Sequence, residues 1–390
     1  MLYSTMFRAK KYIAGIILLI SIAISCAGEN ISLMNVYVGT YTKKTESKGI
    51  YLLKFDLKEG KLSEGVPAGE IENPSFLAVH PKRKLLYAVG EVSAKTGIVS
   101  AFAIDALTGK LTLLNQQSSG GAGPCHLSID KEGKNVLVAN YSGGSVAVLP
   151  IGPEGKLAEP SCVIVHKDTE NSAKPREAHC HSINLDSSGK YAFVADLGLD
   201  RIFSYRYNGE KGVLTPNEPK SLILEAKSGP RHFARHPSGR FAYIINELNS
   251  TMTAVTLNEE KGILRELQTL STLPEGFTGK SYCAEVQVHP SGKFLYGSNR
   301  GHDSIVIFSI EEITGRLNIS GFESTQGSGP RNFCIDPTGQ YLLAANQKSD
   351  NLVIFRIDQV TGLLKSIGQK IKIPSPVCIK FLPYTQEGSR

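Results

Sequence analysis

The chain has 390 residues, of which 41% are hydrophobic and 20% charged, with 38 glycines and 19 prolines. That is the composition of a folded globular protein, and it excludes a disordered or collagen-like chain. The formal charge of +7 is small, and no long charge run appears, so neither a nucleic-acid stripe nor a basic membrane patch is indicated.

The N-terminus reads as an export signal. Arg8, Lys10 and Lys11 precede an apolar run, IAGIILLISIAIS, that ends just before Cys26. The run is too short for a span that stays in place. Ala23-Ile24-Ser25 is similar to a lipoprotein cleavage box, which makes Cys26 a candidate lipidated first residue; it also satisfies the small-x-small rule of ordinary cleavage. The expected division is a signal peptide at 1–25, a tether at 26–34, one folded body at 35–384 and a tail at 385–390. The expected location is exported, either periplasmic or membrane-tethered through the lipid.

The first folded segments, YVGTYT (37–42) and GIYLLKFD (49–56), read as a second and a third strand with no first strand before them. A repeat of roughly fifty residues then begins. Its turn anchors are Arg83 in HPKRK, Gly133 in DKEGK, Gly189 in DSSGK, Gly239 in HPSGR, Gly292 in HPSGK and Gly339 in DPTGQ. After each anchor comes an apolar run: LLYAVG, NVLVAN, YAFVAD, FAYIIN, FLYGSN, YLLAAN. A third run follows, as in GSVAVLPI, STMTAVTL, DSIVIFSI and DNLVIFRI, then a fourth after a glycine turn, as in TGRLNIS. Four short strands without helical periodicity make one antiparallel blade. The chain closes on SPVCIKFL (375–382), a first strand with nothing after it. Joining the two ends predicts an all-β, seven-bladed propeller of four-stranded antiparallel blades. The N- and C-terminal strands share the closing blade, which leaves the ring without an open edge.

Equal offsets from the anchor lie on a ring around the central channel. Eight residues before it stand Ser75, Cys125, His181, Arg231, Ala284 and Arg331; eight after it stand Glu91, Tyr141, Leu197, Glu247, Arg300 and Gln347. One residue earlier the chain places Asn140, Asp196, Asn246, Asn299 or Asn346, which are expected to tie down the turn. GPCH (123–126), GPRH (229–232) and GPRN (329–332) mark the entry to inner strands, with the residue after Gly-Pro aimed at one channel mouth. His181, Arg231, Glu247, Arg300 and Arg331 thus converge from distant repeats, which makes that mouth the candidate site. His80, His236 and His289 belong to the turn motif itself, His166 lies in a charged loop without a signal, and His302 caps a turn. His179 and His181 in AHCHS share a strand face by alternation. No third ligand lies at suitable spacing, so no metal is expected, and no cofactor motif appears. Cys125, Cys162, Cys180, Cys283, Cys334 and Cys378 read as buried thiols, not a disulfide framework.

YVGTYT, GPCH, AHCHS, DLGLDRIFSY, GPRHFARHPSGRFAYIINE and SNRGHDSI together resemble the seven-bladed propeller lactonases. That family includes the propeller-type 6-phosphogluconolactonases and is similar to the carboxymuconate cyclases. The resemblance covers roughly residues 35–383. It implies an enzyme that opens a lactone, with a site of one histidine, two arginines and a glutamate at His181 or its neighbour His179, Arg231, Arg300 and Glu247. On this reading a histidine is the general base, Arg231 stabilises the oxyanion, and Glu247 orients an arginine or replaces the base. Arg300 and Arg331 grip an anionic substituent, and His126 and His232 add substrate contacts. No GxSxG elbow occurs, so no acyl-enzyme is expected. The expected partner is a small anionic sugar-type lactone, with no nucleic acid, no cofactor, and contact with membrane only through the lipid. The export signal departs from a cytoplasmic phosphorylated substrate and leaves the anion open between carboxylate and phosphate. The alternatives are a non-catalytic propeller binding module, disfavoured by the absence of Trp, and a carboxymuconate-type cycloisomerase.

Overall fold

The structure is a computed structural model that describes residues 33–92, 96–168 and 175–383. The expected signal peptide, Cys26, most of the tether and the tail lie outside the described residues.

Seven antiparallel sheets succeed one another along the chain. Blades 1 to 6 have the inner strands Leu77–Val79, Pro124–Ile129, Cys180–Leu185, Pro230–Arg235, Tyr282–Val288 and Pro330–Ile335. The closing blade joins the two ends as expected: Pro376–Pro383 pairs with Leu33–Thr40, which pairs with Gly49–Asp56. Its outer strand is broken into Lys61–Leu62 and Val66–Glu70, so this sheet has five strands where the others have four.

The second strands Asn135–Asn140, Phe241–Asn246 and Tyr341–Asn346 are buried along their whole length. Each lies between two neighbouring blades, so both faces leave water and the pattern becomes a continuous apolar run. Polar ties repeat from blade to blade. The hydroxyls of Tyr37, Tyr87, Tyr243 and Tyr296 donate to the carbonyls of Gly109, Gly155, Gly315 and Gly362 at 2.7, 2.9, 3.1 and 2.8 Å. Losing one such buried bond costs about 1–3 kcal/mol.

The turn-motif histidines have the same function. The Nε2 atoms of His80, His236 and His289 reach the carbonyls of Gly133, Gly292 and Gly339 at 3.1, 2.9 and 2.8 Å. Gly292 is required twice over: its φ is +74°, and a Cβ there would lie 2.7 Å from His236 Nε2.

Candidate active site

The site begins with a bulge. In blade 4, Pro230 pairs with Asn246 and His232 with Ile245, so Arg231 is an extra residue without a partner. Arg331 in blade 6, His181 in blade 3 and Cys125 in blade 2 occupy the same extra position. A bulge bends its strand and re-aims the extra side chain. Gly229 and Gly329 prepare it, with φ of +63° and +69° just before the proline.

The opposite wall comes from the ends of the second strands. Asn246 Nδ2 donates to Thr251 Oγ1 at 2.9 Å, and Asn299 Nδ2 to the Thr272 carbonyl at 2.7 Å. These buried amides tie strand ends together and fix the next residue, Glu247 or Arg300. Asp196 acts through its carboxylate, accepting the backbone N–H groups of His179, Gly198 and Leu199 at 2.9, 3.1 and 3.1 Å.

Glu247 is the electrostatic centre. Its Oε2 lies 2.9 Å from Arg231 Nε and its Oε1 lies 3.0 Å from Arg300 Nη2. The first contact is an ion pair without hydrogen-bond alignment, since Arg231 Nε has no hydrogen-bond acceptor. Arg231 Nη1 donates to the Ala284 carbonyl at 2.6 Å and lies 3.2 Å from His232 Nε2. Arg300 Nη2 donates to the Cys283 carbonyl at 2.8 Å. Arg331 differs: it donates to Tyr41 Oη at 3.1 Å, lies over the Tyr41 ring, and makes no ion pair with a carboxylate among the described residues.

These environments set the charges. Burial, then Arg331 and Arg300, lowers the Arg231 pKa to about 10, still far above neutral pH. Burial opposes ionisation of Glu247, but Arg231 and Arg300 outweigh it and hold the carboxyl below its ordinary range. Burial, reinforced by Arg231, His232 and Arg331, pushes His181 well below the usual imidazole value, so its ring is neutral at neutral pH.

His181 is 4% exposed and packs edge-on to His232 and Tyr141, with ring centroids 5.3 and 5.5 Å away. His179 is half-buried at the rim. Its ring stacks on Tyr141 at 4.5 Å and its Nδ1 meets the Tyr141 carbonyl at 3.1 Å. The bulge interrupts the alternation expected of the two histidines, yet both rings reach Tyr141. His126 and His232 are buried one residue further along their strands, 5.4 Å apart, with Phe76 4.3 Å from His126. His232 lies directly against Arg231.

One expectation needs correction. His166 is not an idle loop residue: it is 6% exposed, with Nδ1 2.7 Å from Asp196 Oδ2 and Nε2 2.9 Å from Tyr205 Oη. His166, Cys180 and Asp196 also bring a nitrogen, a sulfur and an oxygen within 4.8 Å of one another, a set that includes neither His179 nor His181. Their donors and acceptors satisfy one another, with Cys180 Sγ 3.2 Å from His166 Nδ1. The trio is complete as a hydrogen-bond network. All six described cysteines are free, four buried and two half-buried.

Sequence reasoning passed over Tyr41, Glu285 and Asn332. The signal for the last two stands one position after the offset that holds Arg231, where the blades carry Phe76, His126, Ser182, His232, Glu285 and Asn332.

Fold and site define a seven-bladed propeller with an Arg–Glu–Arg cluster and two histidines at one channel mouth. A family model described as "Lactonase, 7-bladed beta-propeller" matches residues 35–381, and the chain belongs to that family. A 6-phosphogluconolactonase of Bacillus subtilis is 37% identical over 346 residues, 89% of this chain and 97% of the relative. A 6-phosphogluconolactonase of Formosa agariphila is 36% identical over 315 residues, 77% of this chain and 86% of the relative. The periplasmic gluconolactonase structure of Pseudomonas aeruginosa is 33% identical, with a TM-score of 0.84 over 91% of this chain and all of that one. The chain is a lactonase enzyme of the 6-phosphogluconolactonase-like propeller family.

Proposed function

We propose that this lactonase opens an anionic sugar-type lactone at the Arg231 mouth by general-base attack of water. The observation that carries the reading is the unequal state of three arginines around one carboxylate. Arg231 and Arg300 are ion-paired to Glu247, whereas Arg331 makes no direct ion pair among the described residues: Tyr41 is its hydrogen-bond partner, and Glu91 and Glu247 act on its charge only at longer range. A guanidinium held by a phenol and not by a carboxylate keeps donors for an anionic substrate.

In this reading His181 takes the proton from water. The water oxygen bonds to the lactone carbonyl carbon, whose oxygen becomes an oxyanion stabilised by Arg231. When the tetrahedral intermediate collapses, the ring C–O bond breaks, the proton passes to the leaving alkoxide, and a hydroxy acid results. Glu247 keeps Arg231 and Arg300 in place and stays ionised. Arg331 holds the carboxylate or phosphate of the substrate through its remaining donors. His179 and Tyr141 form the rim against the sugar ring.

The test separates charge from chemistry. Arg331→Ala should raise KM for an anionic sugar lactone by about tenfold or more, the scale of one charged hydrogen bond. It should leave kcat, and the KM of a neutral lactone, within about twofold of wild type. Equal losses on both lactones would remove the anion-binding role.

The same proposal places the enzyme outside the cytoplasm. The apolar run before Cys26 supports export, and so does the periplasmic gluconolactonase among its relatives. The body at 35–384 would then follow a cleaved signal at 1–25 and a tether at 26–34. Cys26→Ala should move the protein from the membrane to the soluble fraction on cell fractionation. An unchanged membrane fraction would exclude the lipid anchor.

A further inference from the structure

We infer that Glu285 is a positioning residue of this reaction: it fixes the tautomer of His232, and His232 in that tautomer holds Arg231 at the mouth. The inference rests on the role proposed for Arg231 above.

Donor and acceptor identity fixes the protonation of the His232 ring. A guanidinium has donors only. Arg231 Nη1 lies 3.2 Å from His232 Nε2, so that nitrogen accepts and carries no proton. The proton of the neutral ring is therefore on Nδ1, which faces Glu285 Oε1 at 3.0 Å. A carboxylate accepts only, so the pair fits one tautomer and no other.

Glu285 is itself held on every side. It lies within the blade 5 bulge, and its N–H donates to Ser298 Oγ at 3.0 Å. Its Oε1 also accepts from the Val286 N–H at 3.0 Å, and its Oε2 accepts from Asn332 Nδ2. Asn332 cannot flip without loss, because its Oδ1 accepts the Ile379 N–H at 2.9 Å. The chain of bonds thus runs from the closing blade through Asn332, Glu285 and His232 to Arg231, and on by ion pairs to Glu247 and Arg300. Glu285 is 6% exposed, yet His232, Lys380 and Arg231 outweigh its burial and hold its carboxyl below the ordinary range.

The bond pattern supplies a test by exchange. Glu285→Gln keeps the shape but adds an NH₂ group, which must face either the Asn332 amide donor or the His232 and Val286 donors. Arg231 then loses its aim, and a displacement of that kind near a reacting centre is costly. We expect Glu285→Gln to lower kcat on the hydrolysed lactone by about tenfold or more, with KM within about twofold. Adding Asn332→Asp restores every bond with the roles reversed: the new carboxylate accepts from the glutamine and from the Ile379 N–H. The double variant should regain kcat to within about threefold of wild type.

The side-chain ¹⁵N spectrum of the wild-type protein gives an independent reading that needs neither activity nor a variant. His232 should show a protonated Nδ1 and a bare Nε2. An Nε2–H tautomer in the wild type overturns the inference, whatever lactone is hydrolysed. A folded Glu285→Gln variant with wild-type kcat, or a folded double variant with no recovery, overturns it as well. If the tautomer is as stated and no lactone is turned over, the proposed reaction has failed and the positioning of Arg231 stands.

Discussion

Arg231→Ala should lower kcat by about a hundredfold or more while changing KM little. A preorganised donor at an oxyanion is worth on the order of 3 kcal/mol, and Arg231 is preorganised from three sides. The Ala284 carbonyl, His232 Nε2 and Glu247 fix its guanidinium before substrate arrives. Arg231→Lys tests the geometry, since it keeps the charge and loses the fork that meets these partners together. It should recover little of the lost rate. Steady-state kinetics on one hydrolysed lactone decides the matter, with thermal melts confirming that both variants fold. Loss confined to KM would move Arg231 from the transition state to substrate binding.

His181→Ala should lower kcat/KM by roughly 10²- to 10⁴-fold, the range of a positioned general base. The pH–rate profile identifies the group. A base works unprotonated, and the His181 pKa is depressed, with burial the largest cause and Arg231, His232 and Arg331 adding to it. Protonation therefore sets in only as pH falls well below the ordinary imidazole value of 6.5. The wild-type profile should be flat through neutral pH and drop only on the acid side. Glu247 would titrate on the same side, because Arg231 and Arg300 hold it low. The substitution separates them: His181→Ala should remove the main rate, and any residual limb then belongs to Glu247. A variant with wild-type rate and an unchanged acid limb would return the base role to His179, whose Nδ1 meets the Tyr141 carbonyl.

The repeat made the ring legible because propeller geometry converts sequence offset into place. Arg231, Arg331 and His181 were found by counting from turn glycines, and the structure shows that the counted position is the bulge. The shared blade was legible too, because 37–56 lacked a first strand and 375–382 lacked a second. Side-chain contacts between blades were not. Glu285 and His232 meet across two blades, and their equal offset places them on one ring without showing that they touch. His166 misled for a local reason: Lys167 and Asp168 beside it suggest a solvated loop, but it follows the outer strand Cys162–Val165 and folds down onto Asp196 of the next blade. At AHCHS a bulge interrupts period two at His181, yet His179 and His181 both pack on Tyr141 as the shared face required.

Proton release measured at constant pH reports lactone opening at this site. The purified protein is given a phosphorylated sugar lactone, its neutral counterpart and a muconolactone, each against a buffer-only background. Saturable acceleration is expected, with the anionic sugar lactone preferred, abolished by Arg231→Ala and with its charge preference erased by Arg331→Ala. Rates equal to background on all three lactones, or an acceleration that survives Arg231→Ala intact, would contradict it.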